Sequence, residues 1–171
     1  EKELNTMEIL LASPLKPMVL ILSKAVPYMV ISLINVSTIL IISVTLLDLP
    51  INGSIFLVLG VCFLFITTAL SLGLMISNIT DSQQTAMFIS LMGLMLPTLI
   101  LSGFMFPIEN MPVPMQVLSN IVPTKWFFII IKDVMIKGLG FKSVWKEILI
   151  LFGMTVFFLT ISWRKFKIRL E

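Results

Sequence analysis

The stretch IFLVLGVCFLFITTALSLGLMIS, residues 55–77, decides the fold. It contains no Asp, Glu, Lys, Arg or His. It is also longer than the about 20 apolar residues with which an α-helix crosses the hydrocarbon core of a bilayer. Three similar runs lie to either side of it: Val19 to Leu47 before, and Thr85 to Phe106 and Val144 to Trp163 after. The pattern predicts an all-α, polytopic membrane helix bundle with about four transmembrane helices.

Composition points the same way. Of 171 residues, 58% are hydrophobic and only 12% charged, and the mean hydropathy is +1.09. Soluble chains carry about a quarter charged residues, so lipid must be the main solvent here. The net charge is +3, but the bases gather at the chain ends and in one loop. No basic patch interleaved with stacking aromatics appears, so nucleic acid is not an expected partner. The one cysteine, Cys62, sits inside an apolar run, and there is no His. That leaves no disulfide framework, no Cys-x-x-Cys knuckle and none of the usual zinc or iron sites. Asp48, Asp81, Glu109 and Asp133 are scattered over different loops, so no catalytic residue and no metal site is expected. A start at Glu1-Lys2-Glu3, without a Met or a basic leader, reads as the downstream part of a longer protein.

Four spans put both ends on one side. Lys2, Lys16 and Lys24 flank the first, and Arg164, Lys165, Lys167 and Arg169 form a basic tail over residues 164–171, whereas the loop from Asp48 to Ser54 has no Lys or Arg. The positive-inside rule therefore places both ends in the cytoplasm. Against it stand Lys125, Lys132, Lys137, Lys142 and Lys146, all in or beside the segment assigned outside.

Within the spans, Pro27 is expected to kink the first helix and Lys24 to snorkel to the headgroups. Asn35, Ser37, Thr38, Ser43 and Thr45 give that helix a polar content suited to a face on protein or a water-filled path, or to interhelical or i−4 hydrogen bonds. Ala69, Gly73 and Ser77 recur every fourth residue, a stripe of small side chains that predicts a packing face within the bundle. Pro97 cannot donate to the Gly93 carbonyl, so a break is expected inside the third span. The twelve methionines read as lipid-facing or gap-filling bulk.

Three segments are not plain spans. Residues 1–14 contain a short amphipathic helix, Lys2 to Ala12, with Leu4, Met7, Ile9, Leu10 and Leu11 apolar. It is too short to cross a bilayer, and its mostly acidic polar face favours a protein surface over anionic lipid. Asn78 to Gln84 is a polar turn in which Thr80 or Asp81 is expected to cap the next helix. Residues 107–143 form an external segment. Pro107, Pro112, Pro114 and Pro123 break Ser102 to Trp126 into short pieces that dip into the outer leaflet, with Trp126 as an interfacial anchor. The apolar run Trp126 to Ile131 is too short for a fifth crossing, so residues 118–135 read as re-entrant or interfacial.

Taken in order, several motifs resemble the C-terminal half of an ABC-2 type transporter permease, the membrane subunit of an ATP-driven exporter. They are Glu1-Lys2-Glu3-Leu4-Asn5-Thr6-Met7-Glu8 with Leu11, Ser13 and Pro14; Lys24 and Pro27-Tyr28; Leu101-Ser102-Gly103-Phe104-Met105-Phe106-Pro107-Ile108-Glu109-Asn110-Met111-Pro112; and Lys137-Gly138. The family's first motif usually reads Arg-Glu-x-Gly-Thr-x-Glu; Lys2 and Asn5 stand here for the Arg and the Gly.

The resemblance implies that Glu3, Thr6, Glu8, Leu11 and Ser13 belong to a coupling helix that docks on a nucleotide-binding subunit. It implies an external gate containing Gly103, Phe104, Phe106, Pro107, Asn110 and Pro112, and makes the four spans the third to sixth of six. The implied partners are a P-loop ATPase, a second permease and the lipid bilayer, and the implied location is the bacterial inner membrane. The chain has no Gly-x-x-x-x-Gly-Lys-[Ser/Thr], so ATP and Mg belong to the partner and no cofactor is expected here. Two alternatives differ in class: a membrane structural or assembly protein without transport, and a lipid-modifying enzyme, which the scattered acids disfavour.

Overall fold

The computed structural model describes residues 17–165, and of residues 17–22, 24 and 165 only the backbone. The Lys2 to Ala12 segment, with Glu3, Thr6, Glu8, Leu11 and Ser13, lies outside the described residues, as do residues 166–171 of the basic tail. The described chain is built of helices α1 (Pro17–Thr45), α2 (Ile55–Ile79), α3 (Gln83–Leu101), α4 (Val113–Ser119), α5 (Pro123–Met135) and α6 (Phe141–Lys165), with a 3-10 turn at Ile108–Asn110. Four stretches are long and apolar enough to cross a membrane: Ala25–Thr45, Ile55–Ile79, Gln83–Leu101 and Phe141–Arg164. In lipid a backbone must satisfy its own hydrogen bonds, and helices of this length do so.

The core lies where α2, α5 and α6 meet. Val58, Val61 and Cys62 of α2 pack with Ile130, Val134 and Met135 of α5 and with Val144 and Leu151 of α6. The first helix joins through Val36 and Leu40. Thr68 meets Thr155 midway along α2 and α6, with the hydroxyl oxygens 2.6 Å apart. Near both C-termini, Asn78 Nδ2 donates to the Ser162 hydroxyl at 2.8 Å and to the Ser162 carbonyl at 3.1 Å. The two helices therefore run parallel, tied by a buried Thr68–Thr155 contact and a part-buried Asn78–Ser162 one.

The short helix α5 runs the opposite way. At its start the Phe127 ring stacks on Phe65, centroids 4.2 Å apart. At its end the Met135 carbonyl accepts from the Asn52 backbone N–H at 3.1 Å, and the Ile136 carbonyl from Asn52 Nδ2 at 2.9 Å. Gly53 beside it has no side chain for a reason: a Cβ there would collide with the Val134 carbonyl.

The third helix departs from expectation. Instead of a break ahead of Pro97, Ile89–Met95 winds as a π-helix, and the Leu96 N–H donates five residues back to Leu91. The wider turn spreads the register mismatch that proline creates over seven residues, so the helix continues to Leu101. It stops there rather than at Phe106. Ser82, not Thr80 or Asp81, caps its start: Ser82 Oγ accepts from the Thr85 N–H at 3.2 Å, while Thr80 closes α2 by donating its N–H to the Ile76 carbonyl. Ser82 wins because it is the last extended residue before the helix.

The small-residue stripe does not pack within the described chain. Ala69, Gly73 and Ser77 are exposed, and a Cβ on Gly73 would meet nothing within 4 Å. The α2 face that reaches α6 carries Val58, Val61, Thr68 and Ser71 instead, because the Thr68 hydroxyl finds Thr155 there. In the first helix, Thr38 and Thr45 donate to the Ile34 and Ile41 carbonyls, each at 2.8 Å, which settles those two hydroxyls within the helix.

Each threonine of the Thr68/Thr155 pair also lies within bonding distance of its own helix, at the Leu64 and Leu151 carbonyls. With one proton apiece, one must donate across and the other back. Thr68→Val and Thr155→Val should therefore each lower thermal stability in detergent. In a double-mutant cycle the pair should show a coupling of about 0.6 kcal/mol, and an additive result would mean the bond carries nothing.

Candidate functional site

Beyond Leu101 the chain turns sharply. Gly103 has φ +84°, a left-handed angle that L side chains resist, and a Cβ there would press on Ile108 Cδ1 at 3.1 Å. Buried Ser102 helps hold the turn, its Oγ accepting from the Phe104 N–H at 3.3 Å. Phe104, 70% exposed, presents an edge-to-face contact to Phe128 of α5 with centroids 6.0 Å apart.

The prolines then set the next two starts. Pro107 precedes the 3-10 turn, its carbonyl accepting from the Asn110 N–H at 3.1 Å. Pro112 precedes α4, its carbonyl accepting from the Met115 and Gln116 N–H groups at 2.9 and 3.2 Å. Gln116 Nε2 reaches back to the Met111 carbonyl at 2.9 Å and fastens the turn to α4. Of the expected gate residues, Gly103 and Phe104 thus meet Ile108 and Phe128, Pro107 and Pro112 start helical turns, and Phe106 and Asn110 are exposed.

The α4–α5 corner is polar and closed. Lys125 Nζ donates to Asn120 Oδ1 at 2.6 Å and to Ser119 Oγ at 3.0 Å, and Trp126 Nε1 donates to the Asn120 carbonyl at 3.0 Å. The Lys125 ammonium also sits 5.2 Å from the centre of the Trp126 ring. Desolvation by the surrounding chain pulls Lys125 below the ordinary lysine pKa. Trp126 therefore fastens this corner through a defined hydrogen bond.

Geometry fixes what α5 can be. At a rise of about 1.5 Å per residue its 13 residues reach about 20 Å, well short of a bilayer core. It nevertheless lies alongside α2 and α6, from Phe65 back to Asn52, with Ile130 and Val134 fully buried. A half-length helix wedged between two long ones, followed by a return loop, forms a hairpin seated in the core.

Three further residues matter here. Asn52 ties the α1–α2 loop to the end of α5, and its Asn-Gly pair was a turn signal in plain view. Thr155 required the partner helix to become visible. Glu147 lies in the apolar run of α6, and its Oε2 is buried without a hydrogen-bond partner among the described residues; an acid inside such a run is itself a signal.

These features define a polytopic integral membrane protein with a helical hairpin against its core. Residues 1–136 match the ABC-2 type transporter family, and the chain belongs to it. It is 31% identical over its whole length to an Escherichia coli protein named "Probable multidrug ABC transporter permease YbhS", covering 45% of that protein. Over 148 residues, 86% of the chain and 40% of the relative, it is 32% identical to "Probable multidrug ABC transporter permease YbhR" of the same organism. It is also 31% identical over 132 residues, 76% of the chain, to "ABC transporter G family member 20" of Dictyostelium discoideum, covering 18% of it. The chain thus spans less than half the length of these relatives. No solved structure matches it significantly.

Gly103→Ala should strain the turn by about 1–3 kcal/mol. The expected readout is faster cleavage after Glu109 by a glutamate-specific protease, roughly fivefold or more for each kcal/mol; an unchanged rate would show that the turn tolerates a Cβ.

Proposed function

We propose that this chain is the C-terminal half of the membrane subunit of an ATP-binding cassette exporter in a bacterial inner membrane. The observation that carries the reading is the half-length α5 hairpin, placed beside a four-span bundle in a chain of the ABC-2 family. Residues 2–12 dock on a separate P-loop ATPase, which holds ATP and Mg. Closure of that partner pushes on this segment, tilts the spans and moves the hairpin that Gly103, Phe104, Phe106, Pro107, Asn110 and Pro112 connect to α3. A second permease completes the pathway, and both ends of this chain face the cytoplasm. The relatives named as probable multidrug permeases support drugs as one class of cargo.

The test uses the full-length parent protein. Tagged and purified in gentle detergent, it should bring down a P-loop ATPase in stoichiometric amount, and Glu8→Arg should reduce that yield severalfold without affecting membrane insertion. Reconstituted with the ATPase, it should move a fluorescent amphiphile only when ATP is hydrolysed. Undiminished co-purification of Glu8→Arg would remove the coupling-helix assignment, and absence of any ATPase or flux would favour the structural alternative.

A further inference from the structure

The outward face of α6 carries an open groove of ≈ 590 Å³ lined by Phe141, Lys142, Trp145, Ile148, Leu149 and Phe152. These positions recur at helical spacing, so they form one stripe along the first turns of the helix. Phe141, Leu149 and Phe152 are each more than half exposed. The groove is amphipathic along its length. Its only charge is Lys142, at the end where the helix begins, and about 15 Å of aromatic and aliphatic surface follows it into the span.

Lys142 is a free cation. Of the nearby lysines, Lys137 is engaged with Asp133 at 2.7 Å and Lys125 is held by Ser119 and Asn120, whereas Lys132 and Lys146 are exposed like Lys142 but do not line the groove. Lys142 is exposed and has no hydrogen bond or ion pair among the described residues. The acid nearest in sequence, Glu147, is five positions on and not at the three- or four-residue spacing that brings helical side chains together. A fixed positive charge at a membrane interface, with an aromatic at the same level and an apolar trough below, is complementary to one kind of molecule: a lipid with a negative headgroup.

We infer that this groove is a binding site for an anionic phospholipid, its phosphate on Lys142 and its acyl chain along Trp145, Leu149 and Phe152. Such a site gives a role to Lys142, one of the lysines that charge-bias rules leave unexplained. A free phosphate would leave the trough uncovered.

The test is fluorescence quenching in nanodiscs holding the full-length parent protein. The Trp145 signal is isolated as the difference between the parent and Trp145→Phe. Nanodiscs of phosphatidylcholine contain a minor, equal fraction of either brominated phosphatidylglycerol or brominated phosphatidylcholine. The phosphatidylglycerol should quench Trp145 as if enriched about fivefold at the groove, and Lys142→Gln should equalise the two lipids while leaving both able to quench. Equal quenching in the parent, a preference that survives Lys142→Gln, or no quenching by either lipid would each overturn the site; the last would show protein covering the face.

Discussion

Everything in this bundle depends on the seating of α5 between α2 and α6. Lipid tails are as apolar as leucine, so apolar area alone drives no helix association in a membrane. Close packing and a few hydrogen bonds must do it. Ile130 and Val134, both fully buried, supply the packing. The Phe127–Phe65 stack at one end and the Asn52 bonds at the other hold the wedge lengthwise. Remove α5 and the first halves of α2 and α6 lose their shared partner, leaving the Thr68–Thr155 and Asn78–Ser162 contacts further along.

The same constraint separates the rigid part of the molecule from the adaptable part. The core is confined to α2, α5 and α6 with a flank of α1, while α3 has no buried residue at all. An apolar helix that touches α2, α4 and α5 only lightly leaves most of its surface open to lipid or to another protein. The π-helical turn from Ile89 to Met95 gives it a local irregularity from which to bend. Its far end runs through the Gly103 turn directly into the hairpin, so displacement of α3 and displacement of the hairpin are mechanically linked.

The sequence settled a good deal through solvent physics. Long apolar runs with few or no charges have one stable form in lipid, and the four apolar helices lie where those runs do. Prolines 107, 112 and 123 announced the breaks around the hairpin, because a residue without an N–H suits the start of a helix and costs a hydrogen bond inside one, a cost that α1 at Pro27 and α3 at Pro97 absorb. The ABC-2 motifs around Leu101 to Pro112 were equally legible, and the family match covers them.

What the sequence could not decide was which faces meet. The Ala69, Gly73 and Ser77 stripe permits close approach, but permission is not contact, and α2 turns its Thr68 face to α6 because Thr155 waits there. Pro97 declared a lost hydrogen bond but not how the helix would absorb it; the π-turn is one of several local solutions, and the surrounding backbone selects it. Ser82 rather than Thr80 caps α3 because the cap is whichever residue is last to stay extended, a matter of the turn's path. Solvent acts on each residue through its own polarity, so composition and order determine the elements by themselves. Partner choice is a relation between residues far apart in the chain, such as Asn52 with Ile136, and only the assembled fold brings them together.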